Sequence, residues 1–451
     1  MSKVINLKRG LNIRLKGEAD QVIETTVRIT RVAVKPTDFF SLSPKIVVKP
    51  GQQVKAGDPI FFDKNHQEIQ ITAPSSGEVL EIIRGERRKV LEIVIQVDGK
   101  NESAEFIRQD TLKLSRDEIK DHLIKSGLWA FLKQRPYGIV AKSSDNPRHI
   151  FISGFDSAPL APDYEFILNG QASTFQTGIN ALAKLTQGDV FVGIRPEQAN
   201  GFFSAIKNIK SNQFSGPHPA GNVGIQIHQL SPISKGDIVW TINPQEVLFI
   251  GRLFESGKID FSKVVALTGS EVFSPKYYKV IHGACIEDLL IKATKKETNE
   301  RFISGNVLTG KQIEASDFLG FFDHQITVIP EGDYYEFLGW AMPRLNKFSI
   351  SRSYFSWLSP NKAYRADSNV NGEERAYVVT GQYEKVLPMD ILPVFLMKAI
   401  IAEDIDKMEQ LGIYEVIEED LALCEYVCTS KIEVQRILRD GISLMIKELG
   451  S

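Results

Sequence analysis

The chain has 451 residues, of which 43% are hydrophobic and 24% are charged, with a formal net charge of -2. This composition is typical of a globular protein of roughly three or four domains. The near-zero net charge gives no indication of a nucleic-acid partner, and three cysteines are too few for a disulfide framework.

The first part of the chain predicts an all-β domain, to which we assign residues 1–105. Short alternating strands broken by turn residues run from about residue 30 to residue 98. The turn sequences at 49–60 and 73–79 resemble the two halves of a biotinyl- or lipoyl-carrier sandwich. Lys64 lies in the hairpin where carriers are modified, but the Met-Lys-Met motif of biotinyl carriers is absent. We therefore predict a carrier-like barrel-sandwich domain in which Lys64 is simply solvated.

Residues 106–256 predict a Rossmann-like α/β domain, because strands and helices alternate along them. Ser115 and Glu118 have the spacing of a capping box for a helix that ends near Gly127. Further helices are predicted at 172–185 and 244–255, and strands at 148–153, 189–194, 223–228 and 237–242. Alternation of this kind favours a parallel sheet covered by helices.

The remaining chain predicts two smaller units. Residues 257–331 are predicted to form a β-grasp module similar to the soluble-ligand-binding (SLBB) kind, with strands near 263–267 and 276–282 and a helix at 285–293. Residues 332–451 are predicted to hold a loop-rich aromatic stretch and a C-terminal helical domain. There Asp390 is expected to cap one helix, and Ser430 with Glu433 to cap the last. The apolar stripes of these helices comprise Val394, Met397, Ile401, Ile405 and Met408 in the first and Val434, Leu438, Ile442, Met445 and Leu449 in the last.

Residues 214–228 are the most informative stretch, with three glycines, two prolines and two histidines in fifteen positions. Such a stretch predicts a shaped loop held against a sheet. Its Phe-Ser-Gly-Pro-His-Pro-Ala-Gly sequence at 214–221 is similar to an element of the NqrA family, which supplies one subunit of the bacterial Na⁺-translocating NADH:quinone reductase. The sequences at 390–393 and 418–431 also resemble that family, and the resemblance extends over essentially the whole chain. The domain order further resembles the flavin- and iron–sulfur-bearing subunit of respiratory complex I and the C subunit of the Rnf complex.

The resemblance implies a translocase subunit without autonomous catalysis. The complex oxidises NADH, reduces ubiquinone and exports Na⁺, and it carries FAD, FMN, riboflavin and iron–sulfur centres on its other subunits. The resemblance implies that this chain lies at the cytoplasmic face of the bacterial inner membrane, with subunits B to F as partners and the membrane-embedded NqrB as the foremost of them. The chain is expected to be peripheral, because its longest apolar stretch, 391–401, is interrupted and well short of the roughly 20 residues that cross a bilayer.

We expect this chain itself to bind none of these cofactors. Where the relatives have a glycine-rich flavin loop, residues 127–132 carry Trp129 and Phe131, whose side chains are expected to pack instead. Cys424 and Cys428 are predicted to share a helix face, while Cys285 lies in another module. Three thiols leave an iron–sulfur cluster one ligand short, so we expect buried free cysteines. No compact zinc spacing is found among the candidate histidines, which are His218, His228 and His282.

One ligand remains as a hypothesis, the head group of ubiquinone. A quinone needs an aromatic or aliphatic slot and one or two donors to its carbonyl oxygens. The predicted donors are His218, His228 and the backbone N–H groups of Gly216 and Gly221.

Two alternatives to quinone binding stay open. In the first, the loop closes the sheet and docks on a neighbouring subunit, so that the chain is a ligand-free structural or assembly subunit. In the second, disfavoured by the missing cysteines, the chain carries electrons as an Rnf-type subunit. The aromatic stretch 348–358 is a candidate docking surface, with core filling as its alternative.

Overall fold

The computed structural model describes residues 4–290, 293–295, 299–339, 342 and 344–449. Within this part of the chain the strands form four sheets. In chain order the strands are β1 Ile5–Asn6, β2 Asp20–Glu24, β3 Arg31–Val34, β4 Pro44–Ile46, β5 Gln53–Val54, β6 Pro59–Asp63, β7 Gln70–Thr72, β8 Gly77–Arg84, β9 Val90–Val97, β10 Lys133–Arg135, β11 Ile139–Val140, β12 Ile150–Ser153, β13 Val190–Ile194, β14 Lys210–Ser215, β15 Val239–Thr241, β16 Ser262–Thr268, β17 Lys276–Ile281, β18 Glu300–Ser304, β19 Lys311–Ile313 and β20 Gln325–Pro330. The helices are α1 Arg116–Lys125, α2 Tyr164–Leu168, α3 Ala172–Leu185, α4 Val223–Leu230, α5 Pro244–Ser256, α6 Glu287–Leu290, α7 Tyr383–Val386, α8 Pro393–Ile401, α9 Ile405–Gln410, α10 Glu418–Tyr426 and α11 Val434–Leu449.

Two antiparallel sheets, β3-β9-β8-β5 and β4-β6-β7, form a β sandwich in the N-terminal part of the chain. Apolar side chains of both sheets enter one core, among them Ile60, Phe61, Val79 and Ile93, which are fully buried. Lys64 is exposed just beyond β6. The prediction of a β sandwich with a solvated Lys64 is confirmed.

The central sheet has the order β1-β14-β13-β12-β15-β10-β11, and its middle strands β14, β13, β12 and β15 are parallel. From β12 the chain runs through α2 and α3 to β13 and β14 on one side. It then returns through α4 to β15 on the other side of β12. The predicted parallel sheet is confirmed. The carboxyl ends of β12 and β15 bound a topological switch point, where open α/β sheets form a ligand crevice.

Local signals specified two helices of this layer correctly. Ser115 caps α1, since its Oγ accepts a hydrogen bond from the Glu118 backbone N–H at 3.3 Å while the Glu118 carboxylate accepts from the Ser115 N–H at 2.8 Å. Helix α3 buries Phe175, Ile179 and Leu182, as the apolar spacing predicts.

The predicted strand at 223–228 is wrong, because these residues form helix α4. Val223, Ile225 and Ile227 alternate with other residues, which suggests a strand by its period of two. Yet Gly224 and Gln226 are buried as well, so four consecutive residues, 224–227, are buried and the helix has no single apolar stripe. An enclosed helix gives no usable periodicity.

A six-stranded mixed sheet, in the order β19-β18-β20-β16-β17-β2, follows the central sheet. The predicted strands near 263–267 and 276–282 are present as β16 and β17, which pair antiparallel. Strand β2 from the N-terminal region completes the edge by pairing parallel with β17. The predicted helix at 285–293 is present only as the short α6, Glu287–Leu290. Residues 285 and 286 precede this helix, residue 293 lies in a turn, and positions 291 and 292 lie outside the described residues.

The C-terminal part is helical as predicted, but its caps differ. The expected long helix is interrupted: α8 begins after Leu392 rather than Asp390, and Asp404 caps α9 by accepting from the Lys407 N–H at 3.1 Å. The expected capping box at Ser430 is absent, because the Ser430 hydroxyl donates to the Ala376 carbonyl at 2.9 Å.

The predicted apolar stripes of these helices are buried only in part. Ile401, from the first stripe, is 58% exposed, and Leu449 at the end of α11 is 43% exposed. The buried members of the two stripes are Val394, Met397, Met408, Val434, Leu438, Ile442 and Met445.

Candidate functional site

A cavity of about 200 Å³ lies at the switch point of the central sheet. Ser153 and Asp156 line it where the chain leaves β12, and Thr241 and Asn243 line it at the end of β15. Helices α4 and α5 both begin at its rim. The loop after β18 and the first turn of α10 complete the walls, so the cavity is built jointly by the two large sheets and the C-terminal helices.

Much of the cavity wall is apolar. The short 3-10 helix Leu128–Phe131 lies directly before β10 in the chain and is entirely buried. Trp129 donates its indole N–H to the Ala141 carbonyl at 2.6 Å, and the ring of Phe131 stacks on Phe321 with centroids 4.7 Å apart. The prediction that Trp129 and Phe131 pack in the core is confirmed. The aromatic and aliphatic lining residues are Phe131, Phe155, Tyr164, Val223, Ile242, Leu308, Phe322 and Ile417.

Lys133 places a cation on this apolar wall. Its Nζ lies 3.6 Å from the centroid of the Phe322 ring, a cation–π contact. Among the described residues its ammonium has neither a hydrogen-bond acceptor nor a salt-bridge partner. The side chain is half-buried and lines the cavity. Burial lowers the pKa of Lys133, although Glu419 and Glu246 oppose the shift.

Two acidic groups on the wall differ in their surroundings. Asp156 accepts a hydrogen bond from the Ala158 N–H at 2.8 Å, and burial raises the pKa of its carboxyl group. Glu246, at the start of α5, lies 2.9 Å from Nε2 of the buried His324. The cavity therefore contains the unpaired ammonium of Lys133 and the carboxyl group of Asp156, whose raised pKa favours the protonated form.

A buried ion-pair network closes the floor near α4. Arg135 Nη1 is 2.5 Å from Asp420 Oδ2, and Arg135 Nη2 is 2.6 Å from Glu419 Oε1. A Cβ atom at Gly224 would lie only 2.2 Å from Asp420 Oδ1. Because position 224 is glycine, the first turn of α4 can approach this carboxylate.

His218 presents a neutral imidazole to the cavity. Its Nδ1 lies 2.9 Å from Ser157 Oγ, and the same Oγ accepts from the Gly221 N–H at 2.8 Å. We assign the serine proton to the bond with Nδ1, which leaves the imidazole proton on Nε2. Burial lowers the pKa of His218 to about 4, so the ring is neutral at pH 7. Nε2 has no partner among the described residues.

The other three predicted quinone-binding residues occupy different places. Gly221 lines the cavity, but its N–H is already bound to Ser157. Gly216 has φ +130, and a Cβ there would lie 2.3 Å from the Leu7 carbonyl oxygen, so it packs on the N-terminal segment. His228 lies outside the cavity lining. The structure therefore brings together His218 and Gly221 only.

His228 connects α4 to the C-terminal helices. Its Nδ1 lies 2.7 Å from Glu415 Oε2, and its Nε2 accepts from the Asp390 N–H at 3.0 Å. Both ring nitrogens are therefore used within the protein, which is the arrangement of a histidine that holds two parts of a fold together.

Lys133, Asp156 and Ser157 were missed by the sequence analysis. Asp156 and Ser157 follow the buried strand β12, and polar residues after such strands meet at one edge of a parallel sheet. That signal could have identified them. For Lys133 the only signal is a lysine directly after an apolar run at 128–132.

The three cysteines lie apart from the cavity lining. Cys285, Cys424 and Cys428 are all buried and free, as predicted. Burial raises the pKa of the Cys285 and Cys424 thiols, which keeps them protonated. In the described part of the chain no group of three or more histidine, cysteine and acidic side chains is placed to hold a metal ion. No helix there is both long and apolar enough to cross a membrane.

Three family models match successive parts of the chain. They describe the NqrA N-terminal barrel-sandwich hybrid domain over residues 5–98, the NqrA second alpha/beta domain over residues 114–259 and the NQRA C-terminal domain over residues 264–315. The predicted barrel-sandwich and α/β domains are thereby confirmed at this level.

Curated relatives match over nearly the whole length. The NqrA subunit of the Na(+)-translocating NADH-quinone reductase of Rhodopirellula baltica is 37% identical, over 99% of this chain and 98% of the relative. The protein of the same name from Hahella chejuensis is 39% identical, over 99% of this chain and 100% of the relative. A solved chain of an NAD+-reducing [NiFe]-hydrogenase in the H2-reduced state is a distant likeness, with 12% identity, a TM-score of 0.42 and coverage of 76% of this chain and 62% of that chain. On the strength of the full-length relatives, the chain belongs to the NqrA family of Na⁺-translocating NADH-quinone reductase subunits.

Proposed function

We propose that this chain is a peripheral subunit of a Na⁺-translocating NADH:ubiquinone reductase and that its switch-point cavity binds a quinone head group. The full-length relatives, all named as the NqrA subunit of that reductase, support the first part. In this proposal the chain lies at the cytoplasmic face of the membrane, with subunits B to F as its partners and the membrane-embedded NqrB as the main contact. The flavins and iron–sulfur centres belong to those partners.

One observation carries the quinone proposal: two unpartnered nitrogen donors line an aromatic cavity at the switch point. The donors are Lys133 Nζ and His218 Nε2, neither of which has a partner among the described residues. A quinone ring presents two carbonyl oxygens that accept hydrogen bonds and two apolar faces that pack on aromatic rings. A cavity of about 200 Å³ suits one such ring rather than a dinucleotide.

The chemistry of the two donors also fits a neutral ligand that becomes negative on reduction. An ammonium near a carbonyl oxygen stabilises the charge that develops when the ring accepts electrons. The neutral His218 donates without adding a second charge. Gly216 and His228, which lie outside the cavity, contribute in this proposal only by holding the loop and α4 in place.

The test is isothermal titration of the full chain with a short-tailed ubiquinone. We expect saturable binding that weakens about tenfold for His218→Ala and for Lys133→Met, since each loses one hydrogen bond. His228→Ala, and Lys64→Met as a matched control for the lysine, should bind as the wild type does. Thermal unfolding of each variant checks that the fold is retained.

Other results would redirect the proposal. Binding that depends on His228 and not on His218 would move the site toward the end of α4. A folded wild-type chain that binds no quinone would leave the alternative, a ligand-free structural or assembly subunit. That alternative is favoured by one observation, the use of both His228 nitrogens in contacts within the protein.

A further inference from the structure

Residues 334–358, here called the aromatic segment, expose an unusual amount of apolar surface. Eight aromatic side chains of the described residues are strongly exposed, and five of them belong to this segment. Phe337 is 88% exposed and Trp357 is 52% exposed. The exposed apolar residues of the segment are Tyr334, Tyr335, Phe337, Leu338, Met342, Leu345, Ile350, Phe355, Trp357 and Leu358. A concentration of this kind marks an interaction surface.

Local hydrogen bonds hold part of this surface in shape. A 3-10 helix, Phe355–Leu358, begins after the buried Tyr354. The Ser356 hydroxyl donates to the Ser349 carbonyl at 3.1 Å, and the Tyr354 N–H donates to Ser349 Oγ at 3.0 Å. With Tyr354 and Ser356 fixed inward, Trp357 and its neighbours are directed outward. The apolar surface is therefore a built feature of the fold.

The same region is positively charged, although the whole chain has a net charge of -2. Residues 334–358 contain three cations, Arg344, Lys347 and Arg352, and one acid, Glu336. Glu336 pairs with Arg344 at 3.1 Å and with Lys347 at 2.9 Å. Arg352 is exposed and has no partner among the described residues. The local excess of positive charge thus lies beside exposed aromatic rings.

We propose that the aromatic segment docks on the surface of a bilayer that contains anionic phospholipid. Aromatic side chains with a polar edge prefer the boundary between hydrocarbon and water, and cations beside them are attracted to anionic headgroups. A protein partner with a complementary acidic surface is the competing occupant, since aromatic rings and arginines are also enriched at protein interfaces, and the vesicle and assembly measurements below distinguish the two. This inference is independent of quinone binding, because no described residue of the segment lines the cavity.

The test is co-sedimentation of the full chain with vesicles of phosphatidylcholine alone and of phosphatidylcholine with phosphatidylglycerol. We expect binding to the anionic vesicles, little binding to the neutral ones, and a loss of binding as ionic strength rises. Arg352→Glu changes the charge by two and should weaken binding roughly 25-fold, since each charge near an anionic surface changes affinity about fivefold. Lys113→Glu, at a side chain that is 84% exposed elsewhere on the chain, is the matched charge control.

A second pair of variants tests the aromatic contribution. Phe337→Ser with Trp357→Ser should abolish vesicle binding, while Phe273→Ser with Phe395→Ser, which removes exposed rings elsewhere, should leave it intact. The residues changed are exposed, so both variants should keep the wild-type melting temperature. Equal binding to neutral and anionic vesicles, or equal loss in both pairs of variants, would overturn the proposal. The proposal would also be overturned if the wild-type chain did not bind vesicles and the segment variants failed to assemble with membrane subunits. The occupant of the surface would then be a protein.

Discussion

The ion pair between Arg135 and Asp420 offers the sharpest test of how the cavity is held together. Both residues are 1% exposed, and their side chains approach to 2.5 Å. Arg135→Met would leave the Asp420 carboxylate buried with the Ile417 N–H, at 3.0 Å, as its remaining donor. Removing one partner of a buried pair typically costs about 3–5 kcal/mol. Glu419, the other partner of Arg135, is partly exposed, so water can solvate it and we expect the lower half of that range.

Urea unfolding of the full chain measures this loss. Arg135→Met should lower the free energy of unfolding by about 3–4 kcal/mol. The double variant Arg135→Met with Asp420→Leu should recover most of it, because no charge then remains buried. Arg436→Met is the matched control, since the Arg436–Glu433 pair is exposed and should contribute less than about 1 kcal/mol. A loss below about 1 kcal/mol for Arg135→Met, or a double variant no more stable than the single, would refute the reasoning.

Two further predictions concern the loop and helix beside the cavity. Burial lowers the pKa of His218 from 6.5 to about 4, so the unfolded chain binds this proton first as the pH falls. The free energy of unfolding should therefore decline between about pH 6.5 and 4, by about 3 kcal/mol at 1.36 kcal/mol for each pKa unit. The urea midpoints at pH 7 and pH 4.5 should differ less for His218→Gln than for the wild type. An equal difference in the two proteins would contradict this prediction. Gly224→Ala places a methyl group 2.2 Å from Asp420 Oδ1 and should cost about 1–3 kcal/mol in the same unfolding assay, whereas wild-type stability would show that α4 can shift.

Local patterns were sufficient where an element's signal lies in its own residues. The alternating strands of the β sandwich, the capping box at Ser115 and the apolar stripe of α3 all follow from spacing within a few turns or strands. The prediction that Trp129 and Phe131 pack in the core also came from local sequence. Two large rings directly after a helix end would obstruct the close backbone approach that a flavin-binding loop requires, so they are expected to be buried instead.

Local patterns failed for the elements whose conformation depends on packing against distant residues. Helix α4 alternates like a strand, and only its enclosure by the central sheet and the C-terminal helices explains why a helix is stable there. Ser430 and Glu433 have the spacing of a capping box, but the Ser430 hydroxyl donates its hydrogen bond to the Ala376 carbonyl, which is 54 positions away in the chain. Such competition cannot be read from a short window, since the competing partner is brought near only by folding.

The candidate site shows the same division. The residues alone predict a shaped loop over 214–228, and they indicate that the chain resembles one family of respiratory subunits. In the structure only residues 216–222 are a loop, since β14 ends at Ser215 and α4 begins at Val223. The fold was needed to establish that His218 faces a cavity with Lys133 and Asp156, while His228 is used between α4 and the C-terminal helices. The physical reason is that a cavity is formed by strand ends and helix starts that are far apart along the chain. Their meeting depends on strand order, which no local pattern of residues records.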